Sequence, residues 1–392
     1  MSTLDHIDAV IMGASQPITI LYTDHGEGLG GAENSLLILM RHLERDHFRP
    51  VLACEPGPLA QAARALGLEV CTTDFPRLRG HLLALPRLWR GGWALASLVR
   101  RHHAAILHSN TMRASFSTAL ASLLTSCPMI WHAHDLYGPG RIGGRWYPRL
   151  MSRLAHAVIA NSHAVARTIP RPDVHVIHNG IEVEHFHPQL SPSAARAQLG
   201  LPETGVLIGT VGRMQPWKGH HVFLKVAHRV SALLPDARFL IVGGQVFAAD
   251  ADYAERLHRL AHELGIAQRV HFAGHQTDVA PWLAAMDVFV HCSEAEPFGL
   301  VVVEAMAAAR PVVAFADGGV PEIVLDGETG ILVMPGDVSH MAEAVAKLAV
   351  DRDLAQRVGR AGRERAETNF SATRYVRQIE ELYEEILARR GP

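Results

Sequence analysis

Along this chain, short apolar runs alternate with segments whose apolar residues recur every three or four positions. The runs Ile18–Thr23, Val51–Cys54, Glu69–Thr72, Ala104–His108, Met129–His132, Ala157–Ala160 and Val174–His178 predict strands. Between them, Ala32–Leu43, Leu59–Leu66, Met112–Leu124 and Ser162–Thr168 predict helices. Strands that alternate with helices imply parallel sheets covered on both faces. The segment Glu182–Thr204 breaks the rhythm with Pro188, Pro192 and Pro202 and reads as a linker. The alternation then resumes with strands at Val206–Val211, Arg238–Val242, Val270–Phe272, Val288–His291, Pro311–Phe315 and Ile331–Val333, and a helix from Gly219 to Leu233. The predicted fold class is α/β: two tandem doubly wound, Rossmann-like parallel-sheet domains. At the end, apolar residues at 375, 376, 379, 382, 383, 386 and 387 predict a helix with no strand after it. Its stripe must be buried on its own domain or back across the first. The expected division is a loose N-terminus at 1–16, a first domain at 17–188, a second at 189–372 and the terminal helix at 373–392.

Composition agrees with two domains. A chain of 392 residues, 48% hydrophobic and 19% charged, can bury two cores. A formal net charge of -2 supplies no global field for nucleic acid, so no nucleic-acid partner is expected. The charge is unevenly spread: residues 1–190 hold 17 Arg against 14 Asp and Glu, and the remainder 20 basic against 25 acidic residues. The first half is therefore the face for an anionic partner. The only lysines are Lys218, Lys225 and Lys347. Cys54, Cys71, Cys127 and Cys292 are far apart with no C-x-x-C, which argues against a zinc site or disulfide framework and for a reducing compartment. The first residues, MSTLDHIDAVIMGASQ, carry two acids and no base, unlike a signal peptide. No run approaches the ~20 apolar residues of a membrane span. A cytoplasmic protein is expected.

Chemistry concentrates at predicted strand ends. In Glu296-Pro297-Phe298-Gly299-Leu300-Val301-Val302-Val303-Glu304, a buried strand gives way to a helix, and Pro297 suits a first helical position. The amides near Phe298, Gly299 and Leu300 would then attract phosphate. Glu304, in an apolar stretch, needs hydrogen-bond donors such as ribose hydroxyls, and Glu296 could accept from sugar hydroxyls. Arg213 and Lys218, in Gly212-Arg213-Met214-Gln215-Pro216-Trp217-Lys218-Gly219, suit a diphosphate leaving group; a solvated loop is the alternative. The turn Asp24-His25-Gly26-Glu27-Gly28-Leu29-Gly30-Gly31 satisfies G-x-G-x-x-G, and Glu55 could serve as a ribose acid, which together define a rival dinucleotide-dependent oxidoreductase. That rival leaves Arg213, Lys218 and both glutamates without roles. His132-Ala133-His134-Asp135 closes another strand, with no third metal ligand at a recognisable spacing. Asp250-Ala251-Asp252 and Asp351-Arg352-Asp353 lie at helix starts, where acids complement the dipole.

These motifs resemble family 4 of the retaining glycosyltransferases, with the two facing Rossmann-like domains of the GT-B fold. The resemblance runs in order from GLGGAE through HAHD at 132–135, VIHNGIE at 176–182, TVGRMQPWKG at 210–219, FLIVGG at 239–244 and EAEPFGLVVVEAMAAARPVVA at 294–314 to GGVPEIV at 318–324. It implies transfer of a sugar from a nucleotide-diphosphate donor with retention of configuration and without metal or cofactor. Arg213 and Lys218 would hold the pyrophosphate and Glu304 the ribose. Glu296, with the backbone of Phe298, Gly299 and Leu300, would hold the sugar. Gly30 and Gly31 would let the first domain close on the phosphates, and His134 would sit beside the reacting carbon. A phosphorylase or epimerase on the same fold is the second reading, and a non-catalytic binding protein is disfavoured because every expected polar position is filled. Base-reading residues are expected near Gln245 and His275–Thr277. The acceptor, a glycan, lipid-linked or small molecule, would meet the first domain. There Phe75–His103 mixes Arg77, Arg79, Arg87, Arg90, Arg100 and Arg101 with Trp89 and Trp93. It reads either as a helix pair with solvated arginines or as a peripheral contact with the inner membrane face.

Overall fold

The computed structural model describes residues 16–389 apart from 27, 77–83, 142, 187–190 and 245–251. The expectations for residues 1–15, Arg77, Arg79, Pro188, Gln245, Asp250 and Ala251 lie outside the described residues.

Seven strands make the first sheet: β1 (Ile18–Asp24), β2 (Phe48–Cys54), β3 (Glu69–Thr72), β4 (Ile106–Ser109), β5 (Met129–Ala133), β6 (Ala157–Ala160) and β7 (Val174–Val176). They run in the order β3-β2-β1-β4-β5-β6-β7, every pair parallel. Its helices are α1 (Gly31–His42), α2 (Pro58–Ala65), α3 (Ala84–His102), α4 (Met112–Thr125), α5 (Trp146–Leu154) and α6 (His163–Ala166). The second sheet is β8 (Leu207–Val211), β9 (Arg238–Val242), β10 (Val270–Gly274), β11 (Val288–His291), β12 (Val312–Phe315) and β13 (Ile331–Val333), in the parallel order β10-β9-β8-β11-β12-β13. Around it lie α7 (Pro192–Leu199), α8 (His220–Leu233), α9 (Tyr253–Glu263), α10 (Ala280–Ala285), α11 (Leu300–Ala307), α12 (Val320–Ile323), α13 (Val338–Val350) and α14 (Arg352–Asn369), and α15 (Ala372–Ala388) ends the chain.

Alternation along each strand sorts the first core into two faces. Ile20, Tyr22, Leu52, Ile106 and Ile159 point one way, onto Leu36 and Leu39 of α1 and Ala60 and Ala63 of α2. Leu21, Val51, Leu107, Trp131 and Val158 point the other way, onto Leu95 of α3, Ala119 of α4 and Tyr147 of α5. The terminal helix buries its stripe on the first of these faces: Tyr375, Val376, Ile379, Leu382, Tyr383 and Ile386 join that cluster. The chain passes between the sheets twice, side by side, where the N–H of Ile181 donates to the Phe370 carbonyl at 2.9 Å and that of Ala372 to the Ile181 carbonyl at 2.8 Å.

The segment read as a linker contains a helix. Pro192 opens α7 at its first turn, where no amide is needed, and the Ser191 hydroxyl accepts from the Ala194 N–H at 3.3 Å. Ala195 and Leu201 belong to the core of the second sheet, and buried Arg196 pairs with Asp287. One of the prolines that suggested a break therefore starts a helix. No helix among the described residues is long and apolar enough to cross a membrane.

Candidate functional site

Each sheet reverses its winding once, between β1 and β4 in the first and between β8 and β11 in the second. Such a reversal leaves a crevice outside the strands' carboxyl ends, where ligands of open α/β sheets bind. The glycine turn leaves β1, Asn110 follows β4, the Arg213–Lys218 loop leaves β8, and the Glu296 segment leaves β11. The two crevices face each other at close range. A Cβ on Gly31 would sit 3.3 Å from Leu300 Cδ1, and one on Gly30 would sit 3.4 Å from Arg213 Nη1 and 2.9 Å from Glu33 Oε2. A Cβ at Gly31 would press on Leu300 across the cleft, and one at Gly30 would crowd its own Glu33 and press on Arg213.

On the second domain's side, glycines press two loops together. A Cβ on Gly219, at φ +72°, would lie 2.0 Å from the Cys292 carbonyl oxygen, and one on Gly318, at φ +60°, 1.9 Å from that of Glu296. This contact puts Lys218 Nζ 2.7 Å from Glu296 Oε2 and 4.1 Å from the centroid of the Trp217 ring. His291 Nε2 lies 3.3 Å from the same carboxylate oxygen, outside hydrogen-bond geometry. Burial by itself would raise the Glu296 carboxyl, but Lys218 and His291 outweigh it and hold the group well below the usual carboxylate range. Lys218 and Glu296, assigned to separate ligand groups from the sequence, are thus partners of each other here.

The helix after this loop begins later than expected. Gly299, at φ 115°, caps α11 and Leu300 is its first residue, so Pro297 is not a first-turn proline. Instead, its carbonyl accepts from the Ser162 hydroxyl of the first domain at 2.6 Å. Among the described residues, no group accepts from the N–H of Phe298, Gly299 or Leu300. Glu304, one turn into α11, is half-buried and accepts no hydrogen bond among the described residues; burial lifts its carboxyl to about 7.

On the first domain's side, hydrogen bonds fix the state of His134. Asp24 accepts from the Gly26 N–H at 2.8 Å and from Asn110 Nδ2 at 2.7 Å, and burial, reinforced by Glu33, pushes its carboxyl up to about 8. Asn110 Nδ2 also donates to the Ala32 carbonyl at 3.2 Å. With both amide hydrogens committed, Asn110 Oδ1 must accept, so His134 Nε2, 2.9 Å away, carries the proton. Burial depresses the imidazole to about 3, so it is neutral, and its bare Nδ1 is buried without a partner among the described residues. The His134 ring stacks on His132 at 4.1 Å, and beneath it runs a second chain. The Tyr383 hydroxyl donates to that of Tyr22 at 3.0 Å and lies 2.7 Å from His108 Nδ1, and His108 Nε2 lies 3.1 Å from His132 Nδ1. The direction set by Tyr383 leaves His132 Nε2 bare as well, and it too has no partner among the described residues.

Two bridges close the cleft at its side. The Glu322 carboxylate, on α12, accepts from the His163 and Ala164 N–H groups of the first domain, each at 2.8 Å, and meets His178 Nε2 at 2.9 Å. The His178 ring stacks on Phe298 with centroids 5.7 Å apart.

The structure thus brings Gly30, Gly31, Arg213, Leu300, Lys218, Glu296, Phe298 and Gly299 to the facing loops, with Glu304 behind on α11 and His134 deeper on the first sheet. Asn110 and His291 were not singled out from sequence. The one available signal was a polar residue at the carboxyl end of a buried strand, which Ser109-Asn110 and His291-Cys292 both supply. Glu55, the acid of the dinucleotide reading, pairs instead with Arg113 at 2.7 Å and accepts from the Phe75 N–H at 2.8 Å. Among the described residues, two groups of side chains are spaced for a metal ion, Asp24-His25-Glu33 and Glu69-Cys71-His102. In the first, Asp24 is occupied as above and Glu33 accepts from the Gly30 N–H at 2.8 Å. In the second, Arg49 Nη2 reaches Glu69 at 2.8 Å and His102 Nδ1 at 3.3 Å.

Comparison with known proteins agrees with this fold. The family described as Glycosyltransferase Family 4 matches residues 29–185, and the family described as Glycosyl transferases group 1 matches 193–365. The chain is 34% identical over 366 residues to the alpha-maltose-1-phosphate synthase of Mycolicibacterium smegmatis, covering 86% of this chain and 92% of that one. A D-inositol 3-phosphate glycosyltransferase of Mycobacterium leprae is 42% identical over 202 residues, 50% of this chain and only 46% of that relative. Among solved structures, Anabaena Alr3699/HepE in complex with UDP and glucose superposes with a TM-score of 0.82 at 26% identity, over 94% of this chain and 99% of that one. Sucrose-phosphate synthase from Thermosynechococcus elongatus, at 22% identity, TM-score 0.79, and coverage of 95% and 100%, shares the fold.

Proposed function

The chain belongs to glycosyltransferase family 4 and is a glycosyltransferase of the GT-B fold, and on that premise we propose that it moves a sugar from a nucleotide-diphosphate donor to a hydroxyl acceptor, with retention of configuration and without a metal ion. The observation that carries the reading is the entry to α11. There the amides of Phe298, Gly299 and Leu300 have no protein acceptor among the described residues, while Lys218 and Arg213 line the adjoining loop and Gly30 and Gly31 face them. A diphosphate seated there has its growing negative charge met by two cations and a helix terminus. It competes with Glu296 for Lys218, and the released carboxylate accepts from hydroxyls of the transferred sugar. Ribose hydroxyls donate to Glu304 and return it to the carboxylate form that burial disfavours. His134, fixed neutral with its lone pair at Nδ1, accepts from another sugar hydroxyl.

In the transfer step, the acceptor oxygen bonds to the anomeric carbon on the face from which the diphosphate oxygen departs, and the acceptor proton passes to that departing phosphate. No protein carboxylate forms a bond to the sugar. HepE binds UDP and UDP-glucose, which supports a uridine diphosphate sugar as the first donor to try.

Thermal-shift measurements with UDP, GDP, ADP and NAD test the donor site. One nucleoside diphosphate is expected to stabilise by ~2.7 kcal/mol at a hundredfold excess over its Kd, and NAD not at all. Arg213→Ala and Glu296→Gln should each cut transfer at least ~100-fold, the scale of a lost transition-state contact. Near-normal rates in both, an inverted product anomer by NMR, or loss of transfer on chelation would each overturn the reading.

A further inference from the structure

Between Asp74 and Asp173 the chain carries thirteen arginines and a single acid, Asp135, which is half-buried in the cleft after β5. The fold gathers much of this stretch into one layer. Helices α3, α4 and α5 all pack on the same face of the first sheet. α3 lies so close on α4 that a Cβ at Gly92 would sit 2.5 Å from Leu120 Cδ2. Phe116 of α4 stacks on Trp146 of α5 with centroids 5.7 Å apart, which closes the row.

The outer side of that layer is unlike the rest of the surface. Trp89 (56% exposed), Trp93 (49%) and Trp146 (58%) are the three strongly exposed tryptophans among the described residues, and Leu123 (69%) and Leu150 (39%) lie among the same helices. Between them Arg87, Arg90, Arg100, Arg101, Arg145 and Arg149 are exposed, with no exposed carboxylate on the three helices. Half-exposed indoles in water mark a surface that meets something else. Arginine without any acid selects an anionic partner. Guanidinium groups carried by α3 and by the start of α5, on either side of α4, match a fluid array of anionic headgroups better than a partner with fixed acceptors. Indoles favour the boundary between headgroup and acyl chain.

We infer that the outer face of α3, α4 and α5 docks the protein on an anionic bilayer, so that the contact expected of Phe75–His103 extends across to Trp146 and Arg149. The docking depends on neither donor nor acceptor and is measured without transfer, so it stands or falls apart from the proposed reaction.

The test is co-sedimentation of the full chain with vesicles of phosphatidylcholine alone and of phosphatidylcholine with phosphatidylglycerol. Binding is expected to the anionic vesicles, with a blue shift of tryptophan emission, and should weaken as salt rises. Each Arg at the surface contributes ~1 kcal/mol, so removing two weakens partition about thirtyfold. Arg145→Glu, just before α5, with Arg149→Glu on it, and separately Arg87→Glu with Arg90→Glu on α3, should each lower partition by at least that much. Arg229→Glu on α8 of the second domain should not. Trp146→Ala should weaken binding while the salt dependence remains. Unchanged circular dichroism and melting midpoints establish that these variants are folded. Equal partition into neutral and anionic vesicles, or none into either, overturns the inference. So does an α5 double reversal that binds like the parent, or displacement of the protein from anionic vesicles by short duplex DNA at physiological salt.

Discussion

Replacing Lys218 by Met removes the cation from a pair of which both members are shielded: the side chains are 13% and 7% exposed and 2.7 Å apart. Breaking a buried pair from one side costs roughly 3–5 kcal/mol, because the remaining charge is stranded. His291, still 3.3 Å from the carboxylate, takes part of the load and places the expectation at the lower end. For a domain of this size, ~3 kcal/mol corresponds to a fall of about 6–12 °C in the melting midpoint. The pH dependence carries a sign that identifies the cause. In the parent, the folded carboxyl sits below its ordinary value of 4.5, so the pair's contribution is fully present above that pH and is lost only as pH falls further. In Lys218→Met, burial dominates and the folded value moves above 4.5, so stability is lost as pH rises beyond it. The deficit should therefore be larger at pH 8 than at pH 5. Adding Glu296→Gln should restore most of the midpoint, since no charge is then left uncompensated. Scanning fluorimetry without nucleotide, on parent, single and double variants at both pH values, measures all of this. A deficit below ~1 kcal/mol, or a double variant no more stable than the single, would show that the pair is not shielded as the distances imply.

Three further expectations follow from separate parts of the molecule. Glu304→Gln should match the parent midpoint at pH 5 and exceed it at pH 8.5, because burial lifts this carboxyl to about 7 and its ionisation on the way up costs stability; an identical difference at both pH values would refute that assignment. Gly219→Ala should cost more than ~3 kcal/mol, since its Cβ would lie 2.0 Å from the Cys292 carbonyl oxygen. Gly200→Ala, at φ +65° but with nothing within 4 Å, should cost only ~1 kcal/mol; equal losses in denaturant titration would contradict the close approach. Tyr383→Phe strands His108 Nδ1 and the Tyr22 hydroxyl in the core, and a loss of ~1–3 kcal/mol is expected in urea unfolding. A change under ~0.3 kcal/mol would mean that the chain of rings is not closed by that hydroxyl.

Local pattern was enough for the order of the strands, because period two and period 3.6 are written residue by residue, and both sheets follow the alternation read from the runs. The loops proposed to hold the diphosphate were legible for the same reason: a strand end, a turn and a helix start fall within fourteen consecutive residues, as from His291 to Glu304. Boundaries that depend on distant contacts were not. Pro297 serves as an acceptor for Ser162 of the other domain, and Pro192 begins a helix because the second core has room for Ala195 and Leu201. Tertiary structure alone decided who pairs with whom across the switch points. Lys218 and Glu296 are 78 positions apart and were assigned to different ligand groups. Asn110, which sets the tautomer of His134, follows β4, a strand that lies beside β5 only because of the order in which the sheet is assembled. Glu55 faced a ribose in one reading and Arg113 in the molecule. The physical reason is common to all of these. A side chain's burial and partners follow from which strand lies beside which, and that order comes from the packing of whole layers, which no window along the chain contains.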